Sequence, residues 1–258
     1  MISVMFDSNV YRRVLIPTDF PKDPCIKEII NINSALSNKK LKGYLSEVIF
    51  QIEAIPKNKR NTFYKDFAPK TNTDEKIENG KIDTSLIISP SANRIQMDSY
   101  RAKYLNAASK LDVKIIRNNR IGMPLTQIPD AFYLNIKDSD EFHKKNDKCG
   151  ELNLAIAEKN VGFRKIENVC IPNAPKNKPW FYGLENTDST QVKKAFSEWA
   201  DGDAISQCYG YEIDYFCTED CGNSASGDSI LSQDNKKWLQ DNFGINIINL
   251  KDLSNLLS

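Results

Sequence analysis

The chain opens on an apolar run, ISVMF, that stops at Asp7, with Ser8 and Asn9 directly behind it. A carboxylate is costly to bury unless something pairs with it, so an acid at the end of such a run caps a helix, meets a cation or shares a metal ion. A second acid, Asp220, closes IDYFCTED (213–220), and two more, Asp201 and Asp203, stand in WADGDAIS. A fifth candidate, Glu47 or Glu53, follows LKGYLS (41–46). In open α/β sheets, sites form beyond the carboxyl ends of the strands. Acids without histidine or thiolate partners suit hard, oxygen-loving ions, Mg²⁺ or Mn²⁺. Such ions neutralise repulsion among clustered carboxylates and activate water for attack on a phosphodiester. Taken singly, each acid has a plainer explanation: a strand-terminal aspartate is often an N-cap, and DGD alone reads as a turn.

The elements that must position these acids alternate along the chain. Residues 2–6 read as a strand and 24–35 as a helix with Cys25, Ile29, Ile30, Ile32 and Leu36 on its apolar face. LKGYLS is a short strand ending near Ser46, followed by a helix carrying Val48, Ile49, Ile52 and Ile55. At about 100° per residue, Glu53 borders the apolar face of that helix and Glu47 points away, with Ser46 as its cap, so Glu53 is the favoured ligand. Residues 56–83 are charged and broken by prolines, an expected mobile excursion. A strand at 84–91, helix into strand over 99–116, a helix over 137–159 and a proline-rich loop over 167–186 follow. The last block is a helix within 189–211, capped by Ser189 and interrupted at the DGD, then a strand at 213–220, a helix at 235–243, a strand at 245–250 and a terminal helix. This alternation predicts a layered α/β fold with a mostly parallel central sheet.

The bulk properties bound the function. With 35 basic and 34 acidic residues the net charge is +1, so no overall bias towards polyanions exists, and any nucleic-acid contact must be local. RNNRIG (117–122), with Arg117 and Arg120, and KNKR (57–60) are the local basic candidates. Tyr100, Tyr104 and Phe132 are candidate stacking faces, and Trp180, Trp199 and Trp238 are expected packing residues. The apolar runs are too short for a membrane helix, and the N-terminus lacks a charged leader followed by an apolar block, so a cytoplasmic protein is expected. Six scattered cysteines and a single histidine make no zinc set and read as free packing thiols.

MFDSNVY, YLSEVIFQIEAI and DGDAISQCYGYEIDYFCTED together resemble the PIN domain, the nuclease fold of many toxin ribonucleases. In that family the first strand ends D-[ST]-[NS], matched by Asp7, Ser8 and Asn9. A helix after S-E carries a glutamate, and an aspartate opening a helix precedes a strand ending T-x-D, matched by Asp201 and by Thr218 to Asp220. FGINIINLKDLSNLL is similar to the family's closing strand and helix. The match covers about 1–56 and 189–258, and YLNAASKLDVKIIRNNRIGMP resembles a larger bacterial PIN-like group with a central insertion, here about 57–188. The resemblance implies one three-layer sandwich domain over 1–258 that binds Mg²⁺ or Mn²⁺ and cuts RNA. It implies Asp7, Glu53, Asp201 and Asp220 as the catalytic acids, with Glu47 as the alternative glutamate and Asp203 competing with Asp201 or holding a water or second ion. Ser8, Asn9, Thr218, Asn223 and Ser224 would surround them, and Arg117 and Arg120 would contact substrate. A toxin or defence role, with an antitoxin or other regulatory protein as partner, is implied in the same way. Two other readings stand: a haloacid dehalogenase-like phosphatase with Asp7 as nucleophile, which wants acids where Asn9 and Gln207 stand, and a catalytically silent PIN-like RNA-binding module.

Overall fold

The structure, a computed structural model, describes all residues except 66–69, 79–80, 90–93, 96, 119, 121–122, 221–228 and 258. In chain order the described elements are β1 (Ile2–Phe6), α1 (Tyr11–Leu15), α2 (Ile26–Ser37), β2 (Leu41–Ser46), a π-turn (Ile49–Glu53), α3 (Arg60–Lys65), β3 (Lys70–Glu78), β4 (Lys81–Ser89), β5 (Arg94–Ile95), α4 (Ser99–Lys110), β6 (Lys114–Ile116), β7 (Leu125–Thr126), α5 (Ser139–Glu158), α6 (Phe163–Cys170), α7 (Ser189–Gly210), β8 (Tyr215–Cys217), α8 (Gln233–Phe243), β9 (Asn246–Ile248) and α9 (Leu250–Leu256). Five strands form one parallel sheet in the order β6-β2-β1-β8-β9. The fold is therefore α/β with β1 at the centre, so the carboxyl ends of all five strands lie along one edge.

A central parallel strand is buried on both faces, which is why ISVMF is apolar without a break. Val4 and Phe6 enter a core with α1, α2, α4 and α9, while Met5 enters a second core with α7 and residues of α5, α6 and α8. Helices thus cover both faces of the sheet. In α2, the buried residues Ile29, Ile32 and Leu36 recur at helical spacing and face the sheet. Ile30, expected on the same face, is exposed.

Several expectations are corrected. The DGD does not interrupt a helix: α7 runs unbroken from Ser189 to Gly210, capped by Asp188 rather than Ser189. Gly202 is there for close packing. A Cβ on it would stand 3.0 Å from the Gly162 Cα in the α5–α6 connection, so the glycine lets that backbone approach α7. Residues 56–83 include α3 and most of a β3–β4 hairpin, and the strand expected at 84–91 pairs in that hairpin rather than in the central sheet. The expected loop at 167–186 contains the end of α6 and two 3-10 segments. The helix expected after Ser46 is a π-turn. Among the described residues, no helix is long and apolar enough to cross a membrane, and five cysteines are free.

Candidate functional site

Asp7 leaves β1 at the sheet's carboxyl edge, its N–H donating to the Cys217 carbonyl at the end of β8 (3.0 Å). It does not cap α1 with its side chain: that helix starts from Val10 without any side-chain cap. Instead the buried carboxylate is held by three donors. Oδ1 accepts from the Ser8 N–H (2.6 Å), and Oδ2 accepts from the Thr218 hydroxyl (2.6 Å) and from Asn9 Nδ2 (2.8 Å). Thr218 continues β8 through its N–H to the Ile248 carbonyl, and its Oγ1 in turn accepts from the Asp220 N–H (3.0 Å). Asn9 Oδ1 accepts from the Glu219 N–H (3.1 Å), and the Ser8 hydroxyl donates to Glu53 Oε1 (2.8 Å). The short segments Asp7-Ser8-Asn9 and Thr218-Glu219-Asp220 are thereby tied to each other and to Glu53. Of the residues expected around the acids, Ser8, Asn9 and Thr218 make these ties; Asn223 and Ser224 lie outside the described residues.

Electrostatics join the four acids. Burial, then the Asp220 charge, pushes the Asp7 carboxyl above the usual carboxylate range, against the pull of its hydrogen bonds. Glu53 is pushed up to about 7 by burial and then by Asp7. Asp201 is raised well above its ordinary value by burial and then by Asp7, Glu53, Glu198 and Asp220. Asp7 feels the charge of Asp220, Glu53 that of Asp7, and Asp201 those of Asp7, Glu53 and Asp220, as like charges near enough to repel. As the side chains are placed, no group of three or more Asp, Glu, His or Cys residues among the described residues is arranged as an ion cage. The acids thus influence one another electrostatically without forming a closed coordination shell.

Glu47 and Asp203, the rival candidates, have other partners. Glu47 is buried, contrary to the outward orientation expected from the helical wheel. Its Oε1 accepts from the hydroxyls of Tyr133 (2.6 Å) and Thr126 (2.8 Å), and its Oε2 from the Asn118 N–H (2.9 Å). The wheel fails because Glu47 still belongs to the sheet, donating its N–H to the Ile116 carbonyl at the end of β6 (2.9 Å). Asp203 is 2% exposed and meets Arg120 through Nη2 (2.5 Å) and Nε (2.9 Å), while the Trp199 indole N–H donates to its Oδ2 (2.9 Å). Arg120 is thus engaged by Asp203 and lies 4.4 Å from the Phe163 ring centroid. Arg117, half-exposed, stacks on Tyr133 (3.8 Å) and pairs with Asp130 (2.5 Å). Tyr104 is buried with its hydroxyl on Asp19, whereas Tyr100 is exposed.

Two charged residues near the acids were not singled out from the sequence. Glu198 lies three residues before Asp201 on α7, on the same helical face, and accepts from the Ile230 N–H (2.9 Å). The i,i+3 spacing to Asp201 is the signal that could have found it. Arg60, noted only as part of a basic run, is 3% exposed, and its charge acts on Glu53. Compared with known proteins, the chain matches no family model, no curated protein and no solved structure.

Proposed function

We propose that the chain is a metal-dependent endoribonuclease of the PIN type, with a three-layer architecture in which about 57–188 is an insertion into the nuclease core. The observation that carries this reading is the oxygen-only set at the sheet's carboxyl edge: Asp7, Glu53 and Asp201, raised by burial and by one another's charge, with the Asp220 charge acting on Asp7 and Asp201, each acid from a different segment. A hard divalent cation relieves that repulsion, and the donor set fits Mg²⁺ or Mn²⁺ by its chemistry, although closing a shell requires the side chains to draw together. When bound, such an ion supplies charge neutralisation and an activated water for phosphodiester cleavage.

The chain's own residues do the rest. Asp7 is fixed by Ser8, Asn9 and Thr218, so its free lone pairs keep one direction. Ser8 sets the orientation of Glu53, and Thr218 sets that of the Asp220 backbone. Glu53, pushed up to about 7, can hold or release a proton near neutral pH at its carboxylate oxygens. RNA is the proposed substrate, and an antitoxin or other regulatory protein the proposed partner. The phosphatase alternative wants a second acid two residues after Asp7, but that position is Asn9, which uses its amide to hold Asp7 and its carbonyl to hold Glu219.

Labelled RNA and DNA panels incubated with and without Mn²⁺ test the reading. Cleavage of RNA that is lost in chelator and restored by Mg²⁺ or Mn²⁺ is expected. Chelator-insensitive cleavage, or trapping of a phosphorylated Asp7, would overturn it.

A further inference from the structure

Glu53 sits at the end of a π-turn, a geometry that is rare and concentrated at functional sites. Its wide i→i+5 bond runs from the Ala54 N–H to the Ile49 carbonyl (2.9 Å). Any helical end leaves carbonyls without intrahelical partners. Here two arginines from the insertion take them. Arg101, at the start of α4, donates Nη2 to the Ala54 carbonyl and Nη1 to Asp98. Arg60, at the start of α3, donates Nε to the Ile55 carbonyl (3.1 Å).

The two differ in what remains. Arg101 also has its cap partner Asp98, whereas Arg60 is buried and its Nη1 has no hydrogen-bond partner among the described residues. An unpaired buried guanidinium donor is expensive, and its retention calls for a compensating group.

We propose that Arg60 is a positioning residue for Glu53: its Nε pins the end of the π-turn, and its unpartnered Nη1 steadies the Glu53 carboxylate as the acids draw together around a cation. The proposal rests on the nuclease reading above. It gives the central insertion a specific part in the site, since α3 lies wholly outside the nuclease core.

A double-mutant cycle on the full chain tests it, with Arg60→Met, Glu53→Gln and the pair, read by Mn²⁺ affinity (electron paramagnetic resonance of free Mn²⁺), by kcat and KM on RNA, and by melting. Arg60→Met is expected to lower Mn²⁺ affinity and kcat by about 10–100-fold with KM unchanged, the usual cost of losing a group that orients a metal ligand. The pair should be no worse than Glu53→Gln alone, because Arg60 acts through Glu53. Wild-type kcat and affinity in Arg60→Met, or a full additional loss in the pair, would overturn the role. If Arg60→Met does not fold, Arg60→Lys takes its place in the cycle: it keeps the charge but loses the fork, so reduced Mn²⁺ affinity supports the role and unchanged affinity overturns it. A wild-type chain that neither binds Mn²⁺ nor cleaves RNA would instead overturn the nuclease reading together with this one.

Discussion

Two pairs of acids, close in sequence, meet opposite fates. Glu47 and Glu53 flank the same π-turn, and Asp201 and Asp203 stand two residues apart on α7. Glu47 and Asp203 are saturated: the first takes two hydroxyls and a backbone N–H, the second a two-pronged guanidinium and an indole. Glu53 and Asp201 are raised by burial and by like charges, with Asp7 the largest of these for both. Burial alone therefore does not mark a functional carboxylate. Saturated carboxylates hold the fold together, whereas half-buried carboxylates that repel one another are retained at a cost in stability, which points to a ligand that offsets it.

The comparison breaks most decisively in activity. Asp7→Asn, Asp220→Asn and Glu53→Gln should each reduce metal-dependent RNA cleavage by orders of magnitude while circular dichroism and melting stay near wild type. Pairs of these changes should cost little more than one, because the acids act as a unit. Glu47→Gln should retain cleavage. A Glu47→Gln enzyme that is dead yet fully folded would reverse the assignment of the two glutamates.

The next effect is on stability. Asp203→Asn leaves the Arg120 guanidinium, 21% exposed, without its counter-charge, and removing one partner of a buried pair costs about 3–5 kcal/mol. The lower end is expected, since Arg120 keeps some water and its contact with Phe163. Chemical denaturation measures this; a loss below about 1 kcal/mol would place Asp203 among the surface-like pairs. Glu47→Gln removes the charge from three accepting bonds but keeps an acceptor, so about 1–2 kcal/mol is expected in the same assay.

What the residues disclosed beforehand follows the same division. The parallel sheet was legible because its central strands are apolar on both faces, as in ISVMF, and the strand-ending acids were legible because Asp7 and Asp220 interrupt apolar runs. Glu53 was chosen on a helical wheel that did not apply: the segment is a π-turn, and Glu47 is still paired with the sheet, so its side chain follows strand alternation into the protein. The choice of Asp201 over Asp203 could not be made from local sequence with any force, because Arg120, which takes Asp203, is 83 residues away. Gly202 looked like a turn for the same reason, since its neighbour Gly162 is brought there only by the packing of α7. The insertion was the least legible part, its charged composition hiding α3 and the β3–β4 hairpin.

The smallest effect is also the one that needs no substrate. Glu53 has a folded-state value pushed up to about 7 against an ordinary 4.5, so between those values the folded chain binds protons that the unfolded chain has released. Stability from this group is therefore fully present below about pH 4.5 and is lost as the pH rises through about 7. The raised values of Asp7 and Asp201 act in the same direction. Asp19 and Asp23, lowered first by hydrogen bonds from Lys103 and Arg13 respectively, act oppositely but at more acid pH, below the ordinary aspartate value. In chelator, the melting temperature of the wild type should fall by a few degrees from pH 5 to pH 8, and Glu53→Gln should flatten that fall. Mn²⁺ should raise the melting temperature most at the upper end of the range, where the acids are ionised and the ion has most repulsion to relieve. A wild type whose melting is level across this range, with or without Mn²⁺, would mean that the four acids do not share a site.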